Sequence, residues 1–342
     1  MLLIFGCGHA DATSWRINNN ANRHAHFTDF NAAMSSSDVK DGDTLYVDPG
    51  SVIAGTQNIT KRVTVIGAGY PKTGHPHAEA MTTGQINIQA AGTKIESMRL
   101  SNNNNSINLY LSADDVTVER CLLNVFIRWN GSGKRFKMRQ CISSHCINGY
   151  GVSNDNSADC TVENCIFKVT HYTAVITGLK NPTIRNNYIC NSYVKQANTN
   201  NNSYCLESLS GAIITNNILF HPNTPNMLLN NVDGKFSRNI LSCEENTYSN
   251  VSSEDNLQLG AADESQLFVM EGENDELYRL KEGSPAKGYA EEGGDCGPFD
   301  GKYPYVISGY PLGMPYFLSS SANTLAVDGK VSFSNEVKIQ KQ

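Results

Sequence analysis

Charge is scarce in this chain of 342 residues: Asp, Glu, Lys and Arg make up 18% of it, the net charge is −6, and no basic run occurs. That excludes nucleic acid and anionic membrane surfaces as partners, since both are bound through clustered Lys and Arg. Long apolar runs are missing too. The longest near the start, Leu2–Phe5, is far too short to cross a bilayer, and no later segment qualifies, so no transmembrane helix is expected. Among the ten cysteines no Cys-x-x-Cys pair occurs, which removes zinc-ribbon and thioredoxin-like chemistry. Helical periodicity is confined to one short stretch near the N-terminus.

What is present is a repeat. Thr161-Val162-Glu163-Asn164-Cys165-Ile166-Phe167 is echoed by Val118–Leu122, Met138–Ile142, Ile184–Tyr188, Ile214–Ile218 and Phe236–Ile240, with a weaker copy at Ile95–Leu100. Each copy has an apolar residue, two polar ones, a Cys or Asn, and then an apolar run. The pivot falls at 98, 121, 141, 165, 187, 217 and 239, in steps of 23, 20, 24, 22, 30 and 22 residues. Fixed-period self-similarity marks a solenoid. The copies are rich in Val, Ile, Phe and Thr and alternate with period two, so the repeating unit is made of strands. A step of this size holds three short strands and three turns, one coil of a parallel β-helix, with each strand pairing to its equivalent about 4.8 Å away.

Stacking puts the pivots in one column. Asn187, Asn217 and Asn239 are expected at an inward bend, passing amide hydrogen bonds from coil to coil. Cys121, Cys141 and Cys165 continue the column as small buried thiols. Parallel stacked side chains do not suit the disulfide dihedral, so free thiols are expected.

Along the chain, residues 1–12 read as the remnant of an export signal, with Ala10-Asp11-Ala12 as cleavage site and a mature start at Thr13. The alternative is a lipoprotein acylated at Cys7. Either way the protein is expected to be secreted, periplasmic or held at the cell surface. Residues 13–41 read as an N-terminal cap: a strand at Trp15–Ile17, then a short helix with Phe27, Phe30, Ala33 and Met34 on one face and Thr28 as N-cap. Residues 42–245 read as the parallel β-helix. His75 and His77 sit in a Pro- and Gly-rich loop with no further ligand nearby, so no metal site is assigned. Asn198–Ser203 reads as a loop bulging from the wall. Residues 246–342 read as an irregular C-terminal cap wrapping the end of the stack, with strand-like alternation over Thr324–Ile339 whose role stays open.

Trp15–Asn20, Phe27–Met34, Gly42-Asp43-Thr44-Leu45-Tyr46-Val47 and Val63–Tyr70 together resemble the N-terminal part of secreted right-handed β-helix proteins of the pectin-lyase-like superfamily. The resemblance covers most of the chain as pattern. It implies right-handed coiling, a polysaccharide partner, and a cleft along the outer face of one sheet. In lyases of that superfamily a basic residue removes a proton beside a uronate carboxylate, and Ca²⁺ held by several carboxylates often neutralises that group. Ca²⁺ is therefore a cofactor by resemblance only, since the residues themselves point to none.

The strands preceding each repeat are Ile107–Leu111, Val125–Trp129, Cys146–Val152, Ala174–Leu179, Tyr204–Leu209 and Met227–Asn231. Period-two alternation places Asn108, Tyr110, Arg128 and Tyr150 outside. Glu207 joins them because an unpaired buried carboxylate is costly, and His171 and Tyr172 lie in an adjoining turn. Asn108, Tyr110, Tyr150 and Tyr172 are the expected glycan-binding residues, and Arg128, Glu207 and His171 the candidate catalytic set. A carboxylate cluster is missing from this face. Two functions stay open: an exported lyase or hydrolase of acidic glycans, or a non-catalytic cell-surface module that binds glycan. The protein is expected to be a monomer.

Overall fold

The structure, a computed structural model, describes residues 12–70, 79–101, 108–194, 203–223, 228–243, 251–260, 263–273, 275–312, 315–322 and 333–339. The export-signal residues 1–11 with Cys7, the His75/His77 pair, Ile107, Met227 and all of the Asn198–Ser203 loop but Ser203 lie outside the described residues.

Every strand pair in the two large sheets is parallel, and the partners are equivalent strands of successive coils. The architecture is a parallel β-helix. Each coil contributes three strands. Those of the front face are Gln57–Ile59, Ile86–Ile88, Asn108–Leu111, Phe126–Trp129, Ile147–Asn148, Ile176–Lys180 and the first halves of Leu206–Thr215 and Leu229–Ser237. Those of the side face run from Ser14–Ile17 through Thr117–Glu119, Lys137–Arg139, Thr161–Glu163 and Thr183–Arg185 to Val251–Glu254. The rear face is the separate ten-stranded sheet from Val52–Ile53 to Leu257–Gln258. Parallel pairing thus begins at Ser14, inside the segment read as a cap, and continues past residue 245 for one more coil.

The bend between side and rear strands explains the repeat. The residue before each pivot is left-handed: Ser97, Arg120, Gln140, Asn164, Asn186, Asn216, Arg238 and Asp255 all have φ between 49° and 59°. The pivot then turns inward, and residues 98, 121, 141, 165, 187, 217 and 239 are all fully buried. Asn217 Nδ2 donates to the carbonyls of Thr215 (2.9 Å) and Ile184 (2.8 Å) and to Asn239 Oδ1 (3.0 Å). Its Oδ1 accepts from the backbone N–H (3.0 Å) and Nδ2 (2.9 Å) of Asn187. Asn256 extends the ladder by a coil, accepting from the backbone N–H and Nδ2 of Asn239 at 2.9 Å each. The cysteines take the same slots: Cys121 Sγ lies 3.2 Å from the Glu119 carbonyl and 3.8 Å from that of Ile95. All nine cysteines among the described residues are buried, and none is in a disulfide.

Helix Phe30–Ser35 covers the first coil, burying Phe30, Ala33 and Met34. Its N-cap is Asp29 rather than Thr28: the Asp29 carboxylate accepts from the Ala32 N–H at 2.8 Å. Near the C-terminus of the chain, Pro315–Ala322 and Phe333–Ile339 pair antiparallel as a separate two-stranded sheet, the second strand falling within the alternating stretch 324–339.

The segment between closes the last coils and then runs back along the stack. On the rear face Ile166, Tyr188, Ile218 and Ile240 pack against Leu267, Phe268, Tyr278, Ala290 and Tyr305. Glu264 accepts from both Lys168 Nζ and Tyr188 Oη. The left-handed corner residues then dock the chain. Gly297 donates to the Asn216 carbonyl (2.9 Å), Asn164 Nδ2 to the carbonyl of Pro298 (2.9 Å), and Gln140 Nε2 to that of Pro304 (2.5 Å). The run ends at Tyr70, whose N–H bonds the Ser308 carbonyl at 2.8 Å and whose hydroxyl meets Tyr305 Oη at 2.8 Å.

Asp275 anchors that end. It is buried, and its Oδ2 accepts from Tyr305 Oη (3.0 Å) and the Ser308 N–H (2.7 Å). Burial raises its pKa above the ordinary 3.8, and the two hydrogen bonds offset only part of the rise. Between 3.8 and the raised folded value the native state keeps a proton that the unfolded chain has lost. The contribution of this group to stability therefore falls as pH rises through that window. Asp275→Asn should flatten this fall, measured as denaturant midpoints across acid to neutral pH. An unchanged slope would contradict the assignment.

Candidate functional site

The C-terminal segment packs on the rear face of the later coils and on the corner beside it, and the front-face strands set a line of positions along the helix axis. Register places Asn58, Asn87, Tyr110, Arg128, Asn148, Thr177, Glu207 and Asn230 in one line, one residue per coil. Asn87 Nδ2 donates to Asn58 Oδ1 (2.7 Å), and Asn230 Nδ2 to Glu207 Oε1 (2.7 Å).

Arg128 is the cation of this line. It lies over the Phe126 ring, 5.0 Å from the centroid. Its Nε is buried without an acceptor, and among the described residues no carboxylate reaches it. Arg120, which is buried, shows the contrast: Glu96, Glu119 and Gln140 all bind it. Two imidazoles pack on the same Phe126 ring, His145 at 4.9 Å and His171 at 5.1 Å between centroids, both edge-on. Tyr172 stacks on His171 at 4.3 Å and is 49% exposed. Burial lowers the pKa of both histidines. His171 acts further on His145, and Arg128 on His171, because like charges disfavour protonation. Both rings are thereby biased to the neutral form.

Hydrogen bonds assign the tautomers. His171 Nδ1 accepts from the Thr173 N–H (3.1 Å), so its proton sits on Nε2. Ser144 Oγ gives its proton to Asn124 Oδ1 (2.9 Å), so His145 Nδ1 must donate to Ser144 Oγ (2.9 Å), leaving the lone pair on Nε2. The pair presents one donor and one proton acceptor beside an arginine. Cys146 lies beneath, its Sγ 3.3 Å from Thr173 Oγ1, and burial pushes its thiol up to about 11, so it is no nucleophile.

A second feature lies toward the C-terminal coils. Gly178, Ser208 and Asn231 stack in left-handed conformation at φ 72°, 50° and 50°, a kink at one level of three successive strands that keep their register. Glycine is required at 149 and 178, where a Cβ on Gly149 would stand 2.1 Å from the Gly178 carbonyl oxygen and one on Gly178 2.9 Å from the Tyr150 nitrogen. Beside these kinks lies a notch lined by Tyr150, Ser208, Ser210, Asn231 and Asp233. Tyr150, 53% exposed, crosses it to bond Ser208 Oγ at 2.7 Å.

The candidate residues are thus divided. Arg128, His171 and Tyr172 come together, and Tyr150 lines the notch. Tyr110 is half-buried next to Arg128. Asn108, expected outside, is only 6% exposed, with its Nδ2 turned to Tyr110 Oη at 3.3 Å. Glu207 does not join Arg128 and His171: Asn148 and Thr177 intervene, three coil steps or about 14 Å. His145 and Phe126 were missed. The residue pattern Phe126-Ile127-Arg128 signals Phe126 as outward by the same alternation that places Arg128. His145 lies in a turn, where alternation carries no signal.

No family model matches this chain, and no curated protein matches it in sequence. A solved structure is similar to it. The crystal structure of pectate lyase Pel9A aligns over 85% of this chain and 97% of that one, at 12% identity and a TM-score of 0.47.

Proposed function

We propose that the protein binds an acidic polysaccharide laid along the front face, with Arg128 taking a uronate carboxylate. The observation that carries this is Arg128 itself, a half-buried guanidinium with no carboxylate of its own among the described residues, on the outer strip that the C-terminal segment leaves to other contacts. A carboxylate ligand would supply the missing charge-assisted hydrogen bonds. His171 Nε2–H adds a donor, and Tyr172 and Tyr150 offer rings for sugar stacking. Such a polymer lies outside the cytoplasm, where the export signal read at residues 1–12 would lead. Ca²⁺ does not fit this face: Glu207 is the one carboxylate of the line, and among the described residues no three His, Cys, Asp or Glu side chains group to hold a metal.

Arg128→Ala should weaken binding to an acidic glycan about tenfold, the worth of one charge-assisted contact. It should change binding to a neutral glycan little, and added salt should shrink the difference. Tyr150→Ala should weaken both alike. Titration calorimetry that shows Arg128→Ala equal to the parent on every acidic glycan refutes the reading.

A second reading, a lyase, is favoured by one observation: the His145 Nε2 lone pair stands in the same cluster as Arg128. Arginine to neutralise the carboxylate and imidazole to accept the adjacent proton are the two groups an elimination needs. It would show as unsaturated-product absorbance lost in His145→Ala with binding retained. A hydrolase needs two carboxyl groups about 5–9.5 Å apart, and Glu207 has no such partner in the line.

A further inference from the structure

We infer that the front face selects glycans in which an acidic residue is followed by neutral ones, and that it discriminates against uniform polyuronates. This rests on the reading of Arg128 as the uronate contact. The outward line is a row of single positions at about 4.8 Å spacing, and a pyranose in an extended chain advances by a comparable length. A glycan lying along the axis therefore meets the exposed rungs in order. Reading from Arg128, the positions are Asn148, the fully buried Thr177, Glu207 and Asn230 on one side and Tyr110, Asn87 and Asn58 on the other. A polyuronate needs cations at recurrent rungs. Here there is one, and the next charged rung is negative.

Glu207 is held for that role. Asn230 Nδ2 fixes its Oε1, and among the described residues no Lys or Arg pairs with it. Lys180, the cation at the end of the Thr177 strand, is drawn off by Asp155 at 2.6 Å. Asp233, beyond Glu207, adds a second negative charge, with its Oδ1 capping the Gly211 N–H. A ligand carboxylate arriving at this end meets two anions, with Lys180 held by Asp155. A neutral pyranose meets the Tyr150 ring, the hydroxyl groups of Ser208 and Ser210, and the amide of Asn231. The charge pattern thus reads acid at Arg128 and hydroxyl groups toward Asn231. His145 and His171 flank only the Arg128 end, so their protonation would deepen the asymmetry rather than cancel it.

The test uses one backbone in three forms: cellohexaose, the same chain with a single glucuronate, and the fully oxidised all-glucuronate chain. The parent should bind the single-glucuronate form tighter than either of the others. Glu207→Gln, isosteric and still able to accept from Asn230, should raise affinity for the all-glucuronate form relative to the single-glucuronate form about fivefold, the scale of one like-charge contact near a protein surface. In the parent, added salt should narrow the same gap. If the parent prefers the all-glucuronate chain, or if neither Glu207→Gln nor salt moves the ratio, the inference fails while a loss in Arg128→Ala still upholds the acidic-glycan reading. If Arg128→Ala binds both acidic chains as the parent does, or no chain binds, both fail together.

Discussion

Asn217→Leu is expected to destabilise the protein by about 3–5 kcal/mol, since each buried polar group left without a partner costs about 1–3 kcal/mol. Five side-chain hydrogen bonds vanish together, to Thr215, Ile184, Asn239 and twice to Asn187. The Asn187 backbone N–H is then sealed from water with nothing to bond, and the Thr215 and Ile184 carbonyls lose their amide donor. Leucine fills the space without serving any of them. Asn217→Cys is the informative control. Three other coils place a thiol in this column, and Cys121 and Cys141 each approach the carbonyl two residues back and one in the preceding coil. The cysteine variant should therefore lose roughly half as much, because a thiol replaces part of the amide's donor role but is a poor acceptor. Equilibrium urea unfolding measures both. A leucine variant as stable as the parent would mean that the ladder contributes packing alone.

Glu163→Leu should cost a similar amount, about 3–5 kcal/mol, the range for removing one partner of a buried ion pair. The Glu163 carboxylate is fully buried between Arg139 (Nε to Oε1, 2.5 Å) and Arg185 (Nη2 to Oε2, 2.6 Å). Arg139 would keep only Glu119 at 3.6 Å and the Tyr303 ring at 4.1 Å, and Arg185 no ion-pair partner among the described residues. Because Tyr303 belongs to the returning C-terminal segment, the loss should also loosen that segment. Hydrogen exchange should rise at the amides of residues 297–309 before the coils themselves open. Destabilisation without that local rise would place the whole effect in the side-face sheet.

The two variants differ in how visible their sites are from the chain alone. Asn217 stands in a motif that recurs every coil, so its burial follows from seven copies of one local constraint. Glu163 occurs in one copy of that motif, where Arg139 and Arg185 hold the equivalent positions on either side. Its alternating charge is legible once the register is known. The docking of Tyr303 on Arg139 is not. On the front face, alternation places Arg128 and Tyr150 outward, and the glycines at 149 and 178 mark the close approach that forms the notch. The Phe126 platform with its two histidines needed the structure, since His145 and His171 reach it from turns of different length.

The sequence by itself determined the coil, the pivot column and the inward face, because an in-register stack imposes the same steric and hydrogen-bonding demand at each turn and so writes it repeatedly. Only the tertiary structure decided which outer face stays open and how its charges are spaced. The C-terminal segment crosses the stack through contacts such as Asn164 to Pro298, 134 residues apart, and Tyr70 to Tyr305, 235 residues apart. Each such contact is made once, between residues with no common period. The separation of Arg128 from Glu207 likewise depends on how many coils lie between them, a distance measured along the helix axis and not along the chain.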